Sequence, residues 1–483
     1  MVRTAPANPA KLTVTRTIGV SQTKGGRVAK RESRAALRER LMREASKVET
    51  PLYSDVIVVG GGASGLVAAI TAAEEGASVV VLERDLECGR PILATGNGRC
   101  NFANVRLDTR RYNDPEFVQG VCGTRWLDDV LSFFRECGLR WGLEDDRLYP
   151  TSRQAASVRN VLLARALKAG VILAPGREVC DLSFVPDDKR SPYFAKWMED
   201  EGNACHYDPR TCGTEPLGLA EVAHTQAFDD SGLFHLPGAR TVILATGGEA
   251  FPFIGNLGLR TSRRTPVLCP LACADSPLSA LDGRRAHAKA SLTKADSFFP
   301  SWQERGEVLF RDYGLSGILT FDISRRAEPG DLIELDLVPD VSRSDLQQLV
   351  DPFAKGDFEN GCVDGIVDPV IARVLERLAR ERWHIKWDER NEPSSDSDAL
   401  IMLLKALPLL VEGPAETEHA QVTRGGLATD QFEPATLASH EHPWLFACGE
   451  ALDIDADCGG FNLAWAWKSG MVAGEAAARW ALS

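Results

Sequence analysis

The twelve cysteines of this 483-residue chain (88, 100, 122, 137, 180, 205, 212, 269, 273, 362, 448 and 458) include no Cys-x-x-Cys pair, so zinc-type spacing is absent. Cys269 and Cys273 stand four apart, but Pro270 follows the first, and they read as small buried residues. None of the eight histidines has a ligand partner at useful spacing, so no metal is expected. The first 50 residues lack the apolar run that a secretory signal needs. Export, and with it a disulfide framework, is therefore not expected, and the thiols read as cytoplasmic. Only Val56 to Ala73 approaches the length of about 20 apolar residues that a bilayer demands. Three consecutive glycines inside it fit a strand and turn better than a membrane span. A repeat of fixed period is missing as well.

Net positive charge is also lacking: a balance of −13 gives no general attraction to nucleic acid or to anionic membrane. Residues 1–50 nevertheless carry twelve Lys or Arg against four Glu, a net of +8, which leaves −21 on the remainder. Arg31 to Lys47, with a weak stripe of Leu37, Leu41 and Ala45, reads as a short helix with a solvated basic face in a loosely docked extension, 1–53. The whole, 44% apolar and 25% charged, is an ordinary globular composition with room for two or three domains.

What is present is most informative at residues 55–83. Val56 to Val59 form a buried strand, Gly60-Gly-Gly-Ala-Ser-Gly65 a glycine turn opening a helix, and a second strand ends on Glu83, 18 residues past Gly65. This is a dinucleotide-binding βαβ unit: Gly60 allows the tight turn, Gly62 lets the backbone approach a pyrophosphate, and Gly65 lets the helix lie close to the strand. Glu83 is placed to take a ribose hydroxyl.

Further along, Cys88 to Asn101 reads as a loop, Trp126 to Cys137 and Ala155 to Ala169 as helices, and Val171 to Leu173 as a strand. Residues 184–235, broken by Pro, Gly, Asp and Ser, read as a long excursion between strands. A buried strand runs into Ala245-Thr-Gly-Gly248. From Pro266 to Val338 short alternating runs favour antiparallel β structure, and Ser344 to Leu410 reads as mostly helical with an acidic loop at Asn391 to Asp398. The order predicts an α/β fold of the two-dinucleotide, Rossmann-like type, with parts 54–265 and 421–483 interrupted by a β-barrel-like and helical module at 266–420.

One glycine fingerprint serves NAD or FAD alike. The strand-borne turn Phe446-Ala-Cys-Gly449-Glu450 favours FAD, because the glycine lets the backbone approach and the carboxylate can accept a ribityl hydroxyl. Cys458-Gly-Gly-Phe-Asn462 opens a helix whose free N–H groups and positive dipole end would stabilise negative charge at N1 and O2 of a reduced flavin.

Four motifs in order, Thr95-Gly-Asn-Gly-Arg-Cys-Asn101, Ala245-Thr-Gly-Gly248, Gly306 to Gly317 and Gly449-Glu-Ala-Leu-Asp453 with Asp457 to Trp467, resemble the signatures of one bacterial family. It is the NAD(P)/FAD-dependent oxidoreductase flavoproteins, which include bile-acid dehydro-intermediate reductases and aminoacetone-oxidase-like proteins. The resemblance covers residues 54–483. It implies that Gly60, Gly62, Ala63, Ser64 and Gly65 cradle the FAD pyrophosphate, that Glu83 with Arg84 binds the AMP ribose, and that Val179 sits by the adenine. Thr95, Gly96, Asn97, Gly98, Arg99, Cys100 and Asn101 would line the flavin, with Ala245, Thr246 and Gly247 completing the cradle. Gly449 and Glu450 would hold the ribityl and phosphate region, and Gly460, Phe461, Asn462 and Leu463 the pyrimidine edge. The Tyr313 to Gly317 motif would face the flavin from the inserted module.

The chain departs from that family where Phe253 to Gly258 replaces a Gly-Asp-Gly turn and its helix, and where Ala103 replaces a usual Thr. The excursion and the basic arm have no counterpart. Tyr313 is a candidate proton donor, with a packing role as the alternative. Arg99 is a candidate for an anionic substrate or NADPH phosphate, or for a bond within its loop. His287, in Arg284 to Lys289, belongs to a basic patch that reads as a solvated loop, with a site for a phosphorylated donor as the alternative, and Trp465 and Trp467 face different ways as core and rim. With no second Gly-x-Gly-x-x-Gly, NAD(P)H would be a transient donor, passing hydride through flavin N5 to an activated C=C or C=O of a small molecule. The alternatives are an oxidase of a small amine or aminoketone and, in another class, a flavoprotein acting on RNA with the basic arm as anchor. The acidic remainder argues against RNA. Oligomeric state is not legible.

Overall fold

Val56 and Val58 are fully buried in strand Ser54–Val59, and Leu66, Ile70 and the alanines between them are fully buried in helix Ala63–Glu74. Such β-branched runs covered on both faces form a parallel sheet. The computed structural model describes residues 33–51, 53–185, 217–224, 233–248, 254, 257–274, 277–354, 363–383 and 393–483. In order across its main sheet stand Ile172–Pro175, Val79–Glu83, Ser54–Val59 and Leu233–Leu244, with Leu445–Ala447 also pairing along the last. All five run parallel, Val59 opposite both Leu82 and Leu244, and Ala447 opposite Leu244. Leu217–His224 and Arg177–Val185 extend the sheet antiparallel.

Helix Phe461–Leu482 lies on the fingerprint helix because two glycines four apart remove the side chains between them. A Cβ on Gly470 would strike the Ser64 carbonyl, and one on Gly474 the Ala68 carbonyl. That contact carries the start of the last helix toward the glycine turn.

The inserted module is a closed six-stranded barrel in the order Leu271–Ala274, Gly314–Ser316, Pro300–Arg311, Arg285–Thr293, Leu332–Asp336 and Leu407–Pro414. Helices Arg343–Ala354, Pro369–Arg380 and Asp396–Lys405 accompany it and share its core of Leu292, Val308, Leu335, Leu375 and Leu400. The two chain crossings pair with each other as an antiparallel ribbon, Thr265 to Val267 against Val422 to Arg424.

Several sequence expectations are corrected here. Leu407 to Leu410 is not helical but begins the strand that closes the barrel, and the acidic loop ends early because Ser395 caps a helix at Asp396. His287 lies on a strand, not a loop. Within Cys88 to Asn101, Pro91 near the helix start supports a short helix, Arg90–Ala94. The short helix expected within Arg31 to Lys47 is present as Arg34–Ala45, capped by Ser33. Most of the 184–235 excursion, and residues 253, 255 and 256 of the Phe253 to Gly258 departure, lie outside the described residues. Cys88, Cys100, Cys122, Cys137, Cys269, Cys273, Cys448 and Cys458 are free thiols, and no described helix is long and apolar enough to cross a membrane.

Candidate active site

The parallel strands end together, so the turns that follow them meet in one place, the edge where open α/β sheets bind ligands. Gly60 has φ 105°, and a Cβ there would strike the Ala245 carbonyl; one on Gly65 would strike the Gly60 carbonyl. Gly449, at φ 65°, allows no Cβ beside Ser64. The fingerprint turn is thus in backbone contact with the Ala245 to Gly248 turn and, through the Ser64 side chain, in contact with the Gly-Glu turn. In contrast, a Cβ on Gly62 or Gly247 would meet nothing within 4 Å. The tightly packed glycines build the cradle, and the open ones leave space for an elongated phosphate-bearing group.

Glu83 is 8% exposed, and its carboxylate accepts the Gly61 and Asp85 N–H groups, both at 2.7 Å. Burial raises its pKa, the two N–H bonds opposing the shift. Val179 is buried on strand Arg177–Val185. Arg84 stands at the end of the second strand, exposed.

The Thr95 to Asn101 segment turns through left-handed residues at Gly96, Asn97, Gly98 and Cys100. Thr95 Oγ1 donates to the Ile92 carbonyl at 2.6 Å. Arg99 spends its guanidinium on Glu144, at 2.8 and 3.0 Å, and lies 4.5 Å over the Tyr149 ring. The geometry thus favours the structural reading of Arg99. Gly460, at φ 99°, sits so close to the Asn101 and Ala103 backbone that a Cβ would collide. Tyr112 donates to the Phe461 carbonyl at 2.6 Å, and Asn104 to the Gly459 carbonyl at 3.0 Å. The last helix is therefore capped by Gly460, while Asn462 reaches back to the Ala456 N–H at 2.8 Å. Leu463 is half-buried beside it.

Trp465 and Trp467 are both core, 2% and 0% exposed, which corrects the core-and-rim reading. Each indole N–H has a buried carbonyl: Trp465 donates to Gly449 at 3.0 Å and Trp467 to Phe102 at 2.8 Å. The two tryptophans join the Gly-Glu turn, the 95–103 segment and the last helix. Glu450 accepts the Thr423 N–H at 2.6 Å, and burial pushes its pKa up to about 7, Asp455 adding to the rise. Burial also pushes the Cys88, Cys448 and Cys458 thiols up to about 12, so none is poised as a thiolate.

The inserted module reaches this region through helix Ile318–Ser324 and the residues after it. Arg325 bonds Asp455 at 2.6 Å and also pairs with Asp457; Arg326 bonds Asp457 at 2.7 Å. Arg424 joins Asp455 at 2.8 Å, and Arg111 bridges Asp457 and Glu304, each at 3.1 Å. Asp322 accepts the Cys458 N–H at 2.6 Å. Sequence reasoning passed over these residues. Its one available signal was Asp453-Ile-Asp-Ala-Asp457, three acids at every second position, which needed cations from elsewhere.

Tyr313 lies outside this cluster. It follows strand Pro300–Arg311 at the end far from Glu304, about 20 Å away at the usual rise of a strand. Burial pushes its hydroxyl up to about 12, with Glu416 adding to the rise. A cleft of about 690 Å³ beside Glu433, Phe446 and Trp480 touches none of the glycine turns.

The Rossmann-domain model of the HI0933-like proteins matches residues 54–199 and 231–476. A 3-dehydro-bile acid delta(4,6)-reductase of Clostridium scindens is 30% identical over 437 residues, 87% of this chain and 98% of the reductase. A ribosomal RNA dihydrouridine synthase of Escherichia coli is 24% identical over 419 residues, 86% of this chain and 96% of that protein. Among solved structures, a flavocytochrome c3 fumarate reductase in its open conformation matches 92% of this chain and 81% of its own at 16% identity, with a TM-score of 0.44. With a family match over most of its length falling on the strands and turns that form the cradle, the chain belongs to the HI0933-like family of FAD-dependent Rossmann proteins and is a flavoprotein oxidoreductase.

Proposed function

We propose that the chain is a reductase that carries hydride from NAD(P)H, through flavin N5, to an activated C=C or C=O of a small organic substrate. The near-full-length likeness to a reductase of 3-dehydro-bile acids carries this reading. Bound FAD supplies the two-electron chemistry, and the protein binds, orients and shields.

In that role the N–H groups of Ala63 and Ser64 at the helix start, with Gly60, Gly62 and Gly65, hold the pyrophosphate, where the open space over Gly62 fits it. Glu83, fixed by two backbone N–H bonds, presents its remaining lone pairs to the ribose, with Arg84 alongside and Val179 near the adenine. Ala245, Thr246 and Gly247 close the cradle around the open space at Gly247. Gly449 and Glu450 take the ribityl chain, and residues 95–101 and 460–463 hold the ring. The arginine–aspartate cluster keeps the inserted barrel against that edge, where a covering wall would exclude water from the transfer.

Anaerobic addition of NADH and of NADPH, followed at the flavin absorbance, tests the donor; a conjugated enone and then O₂, each added to the reduced protein, tests the acceptor. Bleaching by a nicotinamide and rapid recovery with the enone are expected. Recovery with O₂ alone would favour the oxidase reading. The synthase likeness makes RNA the second reading, and filter binding with and without residues 1–50 decides it.

A further inference from the structure

Three buried acids lie where the inserted module meets the start of the last helix, and only two are neutralised. Asp455 is held by Arg325 and Arg424, and Asp457 by Arg111, Arg325 and Arg326. Asp322, 5% exposed, forms no ion pair among the described residues, and its carboxylate accepts the Cys458 N–H. The neighbouring Arg326 is already engaged, donating to the Asp322 backbone carbonyl and to Asp457, both at 2.7 Å. The other charges facing Asp322 are Asp457, on the same segment as Cys458, and Glu304 of the adjoining strand, both negative. Beyond Cys458 stands Arg147 from strand Arg147–Pro150, its Nε 3.6 Å from where a Cβ of Gly459 would lie.

A buried carboxylate without a cation is costly, and a proton relieves the cost. Burial first, and then Asp457, push the pKa of Asp322 up to about 7, so at neutral pH small changes in nearby charge decide whether the proton is held. The N–H it engages belongs to the turn that opens the last helix, Cys458 to Asn462. This is where the resemblance puts the flavin edge that gains negative charge.

We propose that Asp322 is the proton-holding residue of the redox site, taking a proton from solvent when negative charge builds at the Cys458–Asn462 turn and releasing it when that charge leaves. The inference rests on the FAD-dependent reading above. The donor contributes hydride, two electrons and one proton; the second proton needed to saturate a C=C comes from solvent and waits on an Asp322 oxygen. After hydride reaches one carbon, that proton is available for the other, so donor, solvent proton and substrate balance. Delivery of this acid by the inserted module also explains why Arg325 and Arg326 stand three and four residues after it, at the end of its helix, and lock that helix to the body.

The test is a dye-mediated redox titration of the FAD-loaded protein, with the midpoint potential followed from about pH 6 to 9 in wild type and Asp322→Asn. Between about pH 7 and 8, wild type should take up roughly one more proton per FAD reduced than the variant does. Infrared difference spectra of wild type alone supply a second readout, independent of how the variant folds: a protonated-carboxyl band should appear on reduction. Equal pH slopes, or no such band, would overturn the role of Asp322 while leaving the cofactor reading intact. Purified, folded protein that holds no FAD would instead overturn the cofactor reading on which it rests.

Discussion

Arg325 and Asp455 face each other at 2.6 Å, with side chains 3% and 0% exposed, although 130 residues of chain separate them. One belongs to the inserted module and the other to the segment that leads into the last helix. Their bond is therefore a fastening between the two parts, placed beside the turn where the cofactor edge is proposed.

Removing one partner of such a pair leaves the other charged and buried, which costs about 3 to 5 kcal/mol. Asp455→Ala should accordingly lower the thermal unfolding temperature sharply, and Asp455→Ala with Arg325→Met should recover part of the loss. Burial alone would raise the Asp455 pKa, but Arg424 and Arg325 outweigh it and hold the carboxyl below its ordinary value. Its stabilising contribution is thus present above the unfolded value, about 3.9, and lost as pH falls through the lower folded value. Acid unfolding should be shifted upward in pH for Arg424→Met.

Gly62 and Gly65 separate the cradle from its occupant. A Cβ at Gly62 meets open space and φ is −77°, so Gly62→Ala should leave the melting temperature of the cofactor-free protein unchanged yet weaken FAD retention on dilution. Gly65→Ala drives a methyl into the Gly60 carbonyl and should lower both. Equal FAD retention in Gly62→Ala and wild type would move the pyrophosphate elsewhere.

Glu83→Gln keeps the shape but presents an amide NH₂ where one of two backbone N–H groups now finds an oxygen. Hydrogen bonds to a charged group contribute about 1.5 to 3 kcal/mol. FAD should therefore bind about tenfold or more weakly, as read by flavin fluorescence during dilution.

Glu450 has a pKa raised to about 7, against about 4.3 unfolded. The stability linked to its proton is complete below the unfolded value and is lost as pH rises through the folded one. Melting temperatures of the cofactor-free protein should consequently decline between about pH 4.5 and 7.5, and Glu450→Gln should reduce that decline, with Asp322, raised to about 7 as well, contributing the rest. The window does not overlap that of Asp455, so the two effects can be read in one pH series.

Tyr313→Phe tests the proton-donor role assigned from sequence. Loss of a general acid costs about 10² to 10⁴ in rate. Because Tyr313 stands beside Glu416 and Arg311 at the remote end of its strand, a far smaller change in steady-state turnover is expected. A loss in the full range would bring that end of the barrel into the site.

Gly460→Pro deletes one N–H and fixes φ at about −65°. In the fold Gly460 has φ 99° and no room for a Cβ beside Ala103, so the substitution would break the turn, not tune it. Asp322→Asn and Arg147→Gln are the cleaner probes of charge there.

The sequence by itself determined the βαβ unit, the glycine turns and the interruption by a β module, because these follow from local periodicity and from backbone conformations that glycine favours. Glu83, Gly449 and the 95–101 segment were legible for the same reason: each lies within or next to a motif of a few residues. Tertiary structure alone decided what charge does. Whether Arg99 faces a ligand or Glu144, whether Trp467 is rim or core, and whether Asp322 meets a cation depend on residues far away in sequence. Periodicity reports which face of an element is buried. Electrostatic partnership reports which elements were brought together, and in this chain the 130 residues between Arg325 and Asp455 carry no local sign of it.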